Sequence, residues 1–276
     1  MKIGIPIWYG SGDIAAAIKK AVNLGFDYVE ISLDYPYPEK IGKKDIDAIK
    51  NSPIGLAFHA PYAEVFLGHP SEIISKAALA KFQQCLDFVS NFETLYLDFH
   101  QNIRLPTVNF PEINREVYAT ALAGIERILN YSKEKGMRFP IVLENNSFPY
   151  FHSTESLGRA LRNKDLQFCM DIGHASMLSF KTHGKIVEEE VIKLIQDFKE
   201  KILVSHLHNV NLWKNECIDH LPLTNGILNL ERIIDEIRKT NSKYFLLEIF
   251  YNDLSKKPAD GLKFKENKEY LLSLLR

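Results

Sequence analysis

Along this chain, short apolar runs rich in β-branched residues alternate with longer stretches whose apolar residues recur at helical spacing. The short runs predict eight strands, at 2–7, 28–33, 54–58, 94–99, 140–143, 166–170, 202–207 and 244–247. The longer stretches predict a helix after each strand. Asp13 is placed to cap the first helix, and Gly25 to end it. Others are expected at 43–50, from a Ser71 cap through Ser90, and from Pro111 to about Gly136. The remainder run from a Ser153 or Thr154 cap to Arg162, then over 185–200, 229–239 and 265–275. In the helix after Ser71, the residues Ile73, Ile74, Ala77, Ala78, Phe82, Leu86 and Val89 follow one helical repeat.

Strand and helix in strict alternation demand parallel strands joined by right-handed crossovers. Eight such units in 276 residues predict an α/β fold, a single (β/α)8 TIM barrel spanning residues 1–276. A doubly wound open sheet is the rival. It calls for a glycine-rich phosphate turn after an early strand, and the Gly10-Ser11-Gly12-Asp13 turn does not fit that fingerprint.

Composition narrows the class further. The net charge of -1 gives no global sign of a polyanion binder, though a local basic groove is compatible with it. Cys85, Cys169 and Cys217 have no CxxC spacing, which argues against a disulfide framework, and Cys169 reads as a small core residue. The start MKIGIPIW enters a strand directly instead of a signal peptide, and no apolar run is long enough to span a bilayer. A cytoplasmic protein without a membrane partner is expected.

In a barrel of this kind the C-terminal ends of the strands share one face, and that face carries the chemistry. Six consecutive strands here end in a side chain able to ligate a metal: His59, His100, Glu144, Asp171, His206 and Glu248. His174 and His220 lie in loops of the same face. The stretch FCMDIGHA shows the pattern in miniature: a buried strand stops at Asp171, Gly173 turns the backbone, and His174 follows. Imidazoles and carboxylates crowded at one mouth are costly to desolvate unless a cation or dense hydrogen bonding compensates them. Mixed N/O ligation suits Zn, Mn, Fe or Co better than Mg or Ca. Alternatives stand beside each assignment. Glu144 and Glu248 could form a buried ion pair, His59 and His100 could be core or substrate contacts, and His174 and His220 could meet metal, substrate hydroxyl or water. His208 is read as a substrate contact or as support for a ligand. Trp8, Tyr62 and Trp213 could stack on a substrate or simply cover the mouth. Of the loop histidines His69, His152 and His183, His152 is best placed to reach a substrate.

The motifs FHAPY, VLENN, CMDIGHA, VSHLHN, DHLPLTNG and LLEIF, in this order, resemble the xylose isomerase-like TIM-barrel superfamily, over nearly the whole chain. That group includes sugar and sugar-phosphate isomerases and epimerases, and endonuclease IV. The isomerase and epimerase branch implies one metal held by Glu144, Asp171, His206 and Glu248. The endonuclease IV branch implies Glu144 bridging two metals, with His59 and His100 at the first and Asp171, His206 and Glu248 at the second. His174 and His220 would hold a third. Here the chain departs from the pattern: Ile218 stands where that branch has an acid, with Asp219 directly beside His220. The following loop is reduced to Thr224-Asn225-Gly226, and Gln101-Asn102 replaces a Pro-Gly turn. These departures count against a third metal and against a DNA-gripping loop set.

Two enzymatic functions follow. The first, and the one expected, is a divalent-metal-dependent sugar or sugar-phosphate isomerase or epimerase. Glu144 and Glu248 would be its catalytic base and acid around a metal-stabilised enediolate, with Mn, Co or Mg as cofactor. The alternative is an endonuclease IV-like phosphodiester hydrolase with two or three Zn or Fe ions, acting on abasic-site DNA. The intact His59/His100 pair favours the second. The lack of a Lys/Arg run in the strand-end loops favours a small carbohydrate over nucleic acid as partner. A homo-oligomer is compatible with either. A non-enzymatic binding module would be expected to lose the Glu144/Glu248 pair.

Overall fold

The computed structural model describes residues 1–8, 13–101, 110–147, 151 and 153–276. The turn expected at Gly10–Gly12, together with Asn102 and His152, lies outside them. Eight parallel strands close a barrel: β1 (Lys2–Ile7), β2 (Tyr28–Ser32), β3 (Gly55–His59), β4 (Thr94–Phe99), β5 (Ile141–Glu144), β6 (Leu166–Asp171), β7 (Ile202–Leu207) and β10 (Tyr244–Leu247). Each pairs with its neighbour in sequence, and β10 pairs with β1 to complete the ring. The predicted (β/α)8 architecture is therefore the observed one.

Strand periodicity organises the barrel. One face of each strand points outward, placing Val29, Ile31, Phe58, Phe99, Leu143, Phe168 and Phe245 against helix residues such as Ile18, Phe82, Ile128 and Ile234. The other face points inward, where Tyr28, Ala57, Tyr96, Val142, Cys169, Val204 and Leu246 form a second, separate apolar layer. Gly4 makes room for this layer, since a Cβ there would stand 2.5 Å from the Tyr28 ring. Two residues further along each of the same strands come Glu30, His59, Asp98, Glu144, Asp171, His206 and Glu248. The ionisable side chains thus form the next tier above an apolar floor. Fully burying one large apolar side chain stabilises the fold by about 1.5–3 kcal/mol, and several such groups offset the several kcal/mol that one buried ion costs. The outward core is what allows the charged tier to exist.

Three expectations need correction. First, FCMDIGHA contains no free turn at Gly173. Helix α6 (Ile172–His183) starts directly after β6, and Asp171 caps it by accepting the His174 N–H. Second, the loop expected after β7 contains a hairpin, β8 (Asn209–Trp213) and β9 (Glu216–Leu221). Its turn residues Lys214 and Asn215 both have positive φ, 48° and 64°, as a twisted two-residue hairpin turn requires. Lys-Asn is a poorer turn signal than Asn-Gly, which hides the hairpin in the sequence. Third, Ile73 and Ile74 follow the helical repeat but are exposed, and α3 (Glu72–Val89) buries its apolar face only from Ala78 onward.

Candidate metal centre

Seven strands each deliver one ionisable side chain to the tier above the apolar floor. Glu144 lies at its centre. The carboxylate is 1% exposed. His59 Nε2 is 3.5 Å from its Oε2, His174 Nδ1 is 2.8 Å from its Oε1, and His206 Nδ1 is 3.5 Å from its Oε2. Burial alone would raise the acid's pKa, but the surrounding His206, His174 and His59 hold it well below the usual carboxylate range. Burial likewise works against charge on His59, yet Glu144, with Asp98 and Glu30 nearby, lifts it to about 10. His100 has fewer acids at hand, and burial pushes it down to about 3.

His206 sits between two sets of carboxylates. Its Nδ1 faces Glu248 Oε2 at 3.3 Å and Glu144 Oε2 at 3.5 Å. Its Nε2 faces Asp98 Oδ2 at 3.3 Å and Glu30 Oε2, a cavity-lining carboxylate, at 3.5 Å. Burial, followed by the charge of Glu144, drives the Asp98 pKa well above the ordinary value. Glu30 and Asp98 escaped the sequence reading because it considered strand ends. Their signal was an acid in the middle of an apolar strand, in phase with an inward tyrosine two residues earlier: Tyr28 before Glu30, Tyr96 before Asp98.

Asp171 is clamped from several directions. Asn145 accepts its backbone N–H at 2.8 Å and donates to its carbonyl at 2.9 Å. His208 Nε2 lies 3.2 and 3.1 Å from its two carboxylate oxygens. His174 and His208 hold the carboxyl below its usual value against burial.

The hairpin supplies the remaining side chains. Asn209 pairs with Leu221 and Asn211 with Ile218, so Val210 on β8 faces both Asp219 and His220 on β9. This is a bulge. With His220 at φ 52°, the two consecutive residues come to one side, and Asp219 Oδ2 lies 3.6 Å from His220 Nε2. The sequence spacing counted against a third ligand group here. In the structure the bulge brings Asp219 into reach, and its ligand atom lies within 4.8 Å of those of His174 and His220.

By the same criterion, ligand atoms come together in five groups among the described residues: His59–His100–Glu144, Glu144–Asp171–His206–Glu248, His174–Asp219–His220, His208–His220–Glu248 and Asp98–Glu144–Cys169–His206. Do these residues fit a cation? The buried polar atoms say so. Among the described residues, both ring nitrogens of His206, Glu248 Oε2, His100 Nδ1, Glu30 Oε2 and Asp98 Oδ2 are buried without a hydrogen-bond partner. Each such atom costs about 1–3 kcal/mol if left unmet. Divalent cations would satisfy the first group of them directly, and the nitrogen-and-oxygen donor set suits Zn, Mn, Fe or Co.

Above the centre opens a cavity of about 490 Å³. Trp8, Tyr62 and Phe250 supply aromatic surface, while His59, His100, His174, His220 and Glu248 form its inner wall. Ser32, Asp34, Ser147 and Lys181 add polar positions that sequence reasoning missed. Lys181 lies two turns beyond His174 on α6, its Nζ donating to the Ser147 carbonyl at 3.0 Å. Trp8 and Tyr62 thus stand where a substrate contact was expected. Trp213 and His208 do not: Trp213 is half-exposed on the hairpin away from the cavity lining, and His208 is wholly buried behind Asp171.

A family model described as a xylose isomerase-like TIM barrel matches residues 18–274. Among solved structures, a D-tagatose 3-epimerase-like protein superposes with a TM-score of 0.77 at 16% identity, covering 100% of this chain and 97% of that one. A D-allulose 3-epimerase from Methylomonas sp. gives 0.74 at 16% identity, with coverage of 99% and 98%. Endonuclease IV from Thermus thermophilus gives 0.68 at 18% identity, with coverage of 100% and 99%. At such identities the likeness is one of fold. No curated protein matches the sequence. Among the described residues, no helix is long and apolar enough to cross a membrane.

Proposed function

The chain belongs to the xylose isomerase-like TIM-barrel family, and from that premise we propose that it is a multinuclear divalent-metal enzyme that hydrolyses phosphate esters. One observation carries this reading: Glu144 joins the His59–His100–Glu144 group to the Glu144–Asp171–His206–Glu248 group, is enclosed by imidazoles, and does not line the cavity. A base that removes a proton from a sugar carbon must reach that carbon. A bridging ligand need not. His59 and His100, which a single-metal centre has no need of, complete the first group, and the bulge at Asp219 completes the third. Zinc, iron or manganese held there would supply Lewis acidity, acidifying water and drawing charge from phosphoryl oxygens.

The chain's own residues divide the remaining work. Asp98 and Glu30 meet His206 at Nε2 and so leave Nδ1 facing Glu144 and Glu248. Glu248 lines the cavity together with Glu30, Asp34 and Asp219, and of these it is the one grouped with Glu144, Asp171 and His206, placed to exchange a proton with substrate or water. Trp8, Tyr62 and Phe250 exclude water from one side, which strengthens every electrostatic interaction inside. Lys181 is the only Lys or Arg among the described lining residues, which suits a compact anionic substrate better than a long polyanion.

The isomerase or epimerase reading keeps specific support of its own. The cavity volume and its aromatic walls suit a monosaccharide, and Glu248 faces into it. Elemental analysis of the purified protein, followed by assays with bis(p-nitrophenyl) phosphate, abasic duplex DNA and a panel of ketoses, separates the two. More than one Zn, Fe or Mn per chain, with phosphodiester turnover lost in His59→Ala, is the expected result. A single bound cation, unchanged in His59→Ala and accompanied by ketose epimerisation, would replace the hydrolase with the epimerase.

A further inference from the structure

His208 does not line the cavity and is not grouped with Glu144, although its ring lies within ligand-atom reach of His220 and Glu248. It nevertheless touches both halves of the site. Residues 204, 206 and 208 share the inward phase of β7, so His208 follows His206 upward just as the strand ends. Its Nε2 lies 3.1 and 3.2 Å from the two oxygens of Asp171. On the opposite edge of the ring, Nδ1 lies 2.8 Å from the backbone nitrogen of His220, which donates to it. The rings of His208 and His220 stack at 4.2 Å with 26° between their planes.

These contacts decide the tautomer. An amide N–H donates to Nδ1, so Nδ1 carries no proton, and the ring's hydrogen is on Nε2, where it is donated to Asp171. A second proton would set two donors against each other 2.8 Å apart. Asp171 is thereby turned toward Glu144, His206 and Glu248. At the other end, His220 occupies the left-handed region at φ 52°, a conformation that is unfavourable for a residue with a Cβ and persists only where its surroundings hold it. His208 holds its N–H, and the N–H groups of Phe250 and Tyr251 hold its carbonyl. Without that backbone conformation, Asp219 and His220 would not face His174 together.

We infer that His208 is a positioning residue that serves two ligand groups at once: it orients Asp171 for the Glu144–Asp171–His206–Glu248 group and fixes the bulge that builds the His174–Asp219–His220 group. The inference rests on the metal-centre reading above. Glutamine and asparagine separate its two halves. An amide at the γ-position of asparagine stands in for Nδ1 and keeps the acceptor for His220, but falls short of Asp171. Glutamine stands in for Nε2 and keeps the donor to Asp171, but not the acceptor for His220.

The test is Zn²⁺ and Mn²⁺ titration of the full chain by calorimetry with chelator competition, alongside thermal melts. Asp219→Ala identifies which binding step belongs to the hairpin group. His208→Gln is expected to weaken that step about 10–100-fold and to spare the Asp171 step, and His208→Asn to do the reverse. Binding at all steps with unaltered affinity in both variants would overturn the inference, as would equal losses that follow only a fall in melting temperature. Those outcomes leave the metal centre standing. Failure of the unsubstituted protein to bind either cation would reject the metal centre and the inference with it.

Discussion

Gly173 and His208 are matched in shape: a Cβ built on Gly173 would stand 1.8 Å from Cε1 of the His208 ring. The imidazole occupies the volume that any other residue's side chain would fill. Glycine is present in the first turn of α6 because of that close approach, not because the backbone turns there.

Gly173→Ala therefore displaces His208 and with it the support of Asp171. Overpacking of this kind costs about 1–3 kcal/mol. A lower urea midpoint and cation affinity about 10–100-fold weaker are expected, the second because an oriented ligand loses its partner. Calorimetric titration beside urea melts checks both. An unchanged affinity would mean that the ring has another place to go.

Glu144→Gln removes the carboxylate that joins the His59–His100–Glu144 and Glu144–Asp171–His206–Glu248 groups and leaves an amide among His59, His174 and His206. Cation content should fall at both groups together. His100→Ala, by contrast, should empty only the group it shares with His59. Elemental analysis of the two variants side by side distinguishes a bridging carboxylate from one that serves a single ion.

The proton balance of the centre makes cation binding depend on pH. In the metal-free protein His59 has a pKa raised from 6.5 to about 10, so its stabilising contribution is complete below 6.5 and is lost as pH rises through 10. Glu144 and Asp171 are depressed, so theirs is present above the ordinary carboxylate range and is lost on acidification. The metal-free protein should therefore lose stability both on acidification through the carboxylate range and as pH rises toward 10. A cation must displace the His59 proton, so its affinity should climb from pH 6.5 toward 10 with proton release. Titrations in buffers of different ionisation enthalpy measure that release directly, and a pH-independent affinity would contradict it.

Asn209 anchors the hairpin. Its Oδ1 accepts from Val210 and Leu228, its Nδ2 donates to the Leu223 carbonyl, and Gly226 leaves room for it at 2.1 Å. Asn209→Ala strands these backbone groups at about 1–3 kcal/mol each where they stay buried. Hydrogen exchange should quicken across residues 209–228 and cation binding by the His174–Asp219–His220 group should weaken. The exchange of β4–β6 should stay as it is.

Much of this was legible in the chain. Strand and helix boundaries follow from the switch between two periodicities, and the metal-capable residues at strand ends follow from the parallel order those elements impose. Other parts were not legible. Glu30 and Asp98 looked like ordinary mid-strand acids, because only closure of the barrel shows that their face has no solvent. The Lys214–Asn215 turn carries a weak signal, so the hairpin and its bulge were hidden, and spacing alone made Asp219 look misplaced.

The sequence by itself determined the eight-fold alternation, the shared mouth and the residues His59, His100, Glu144, Asp171, His206 and Glu248 that meet there. Local preference and side-chain phase act over a few residues, and those are readable in order. Tertiary structure alone decided that Glu144 is a shared, enclosed carboxylate, that Asp219 joins His174 and His220 through a bulge, and that His208 stands behind Asp171 instead of facing the cavity. Each of these depends on atoms far apart in the chain competing for one buried volume, and that competition is settled only when the barrel has closed.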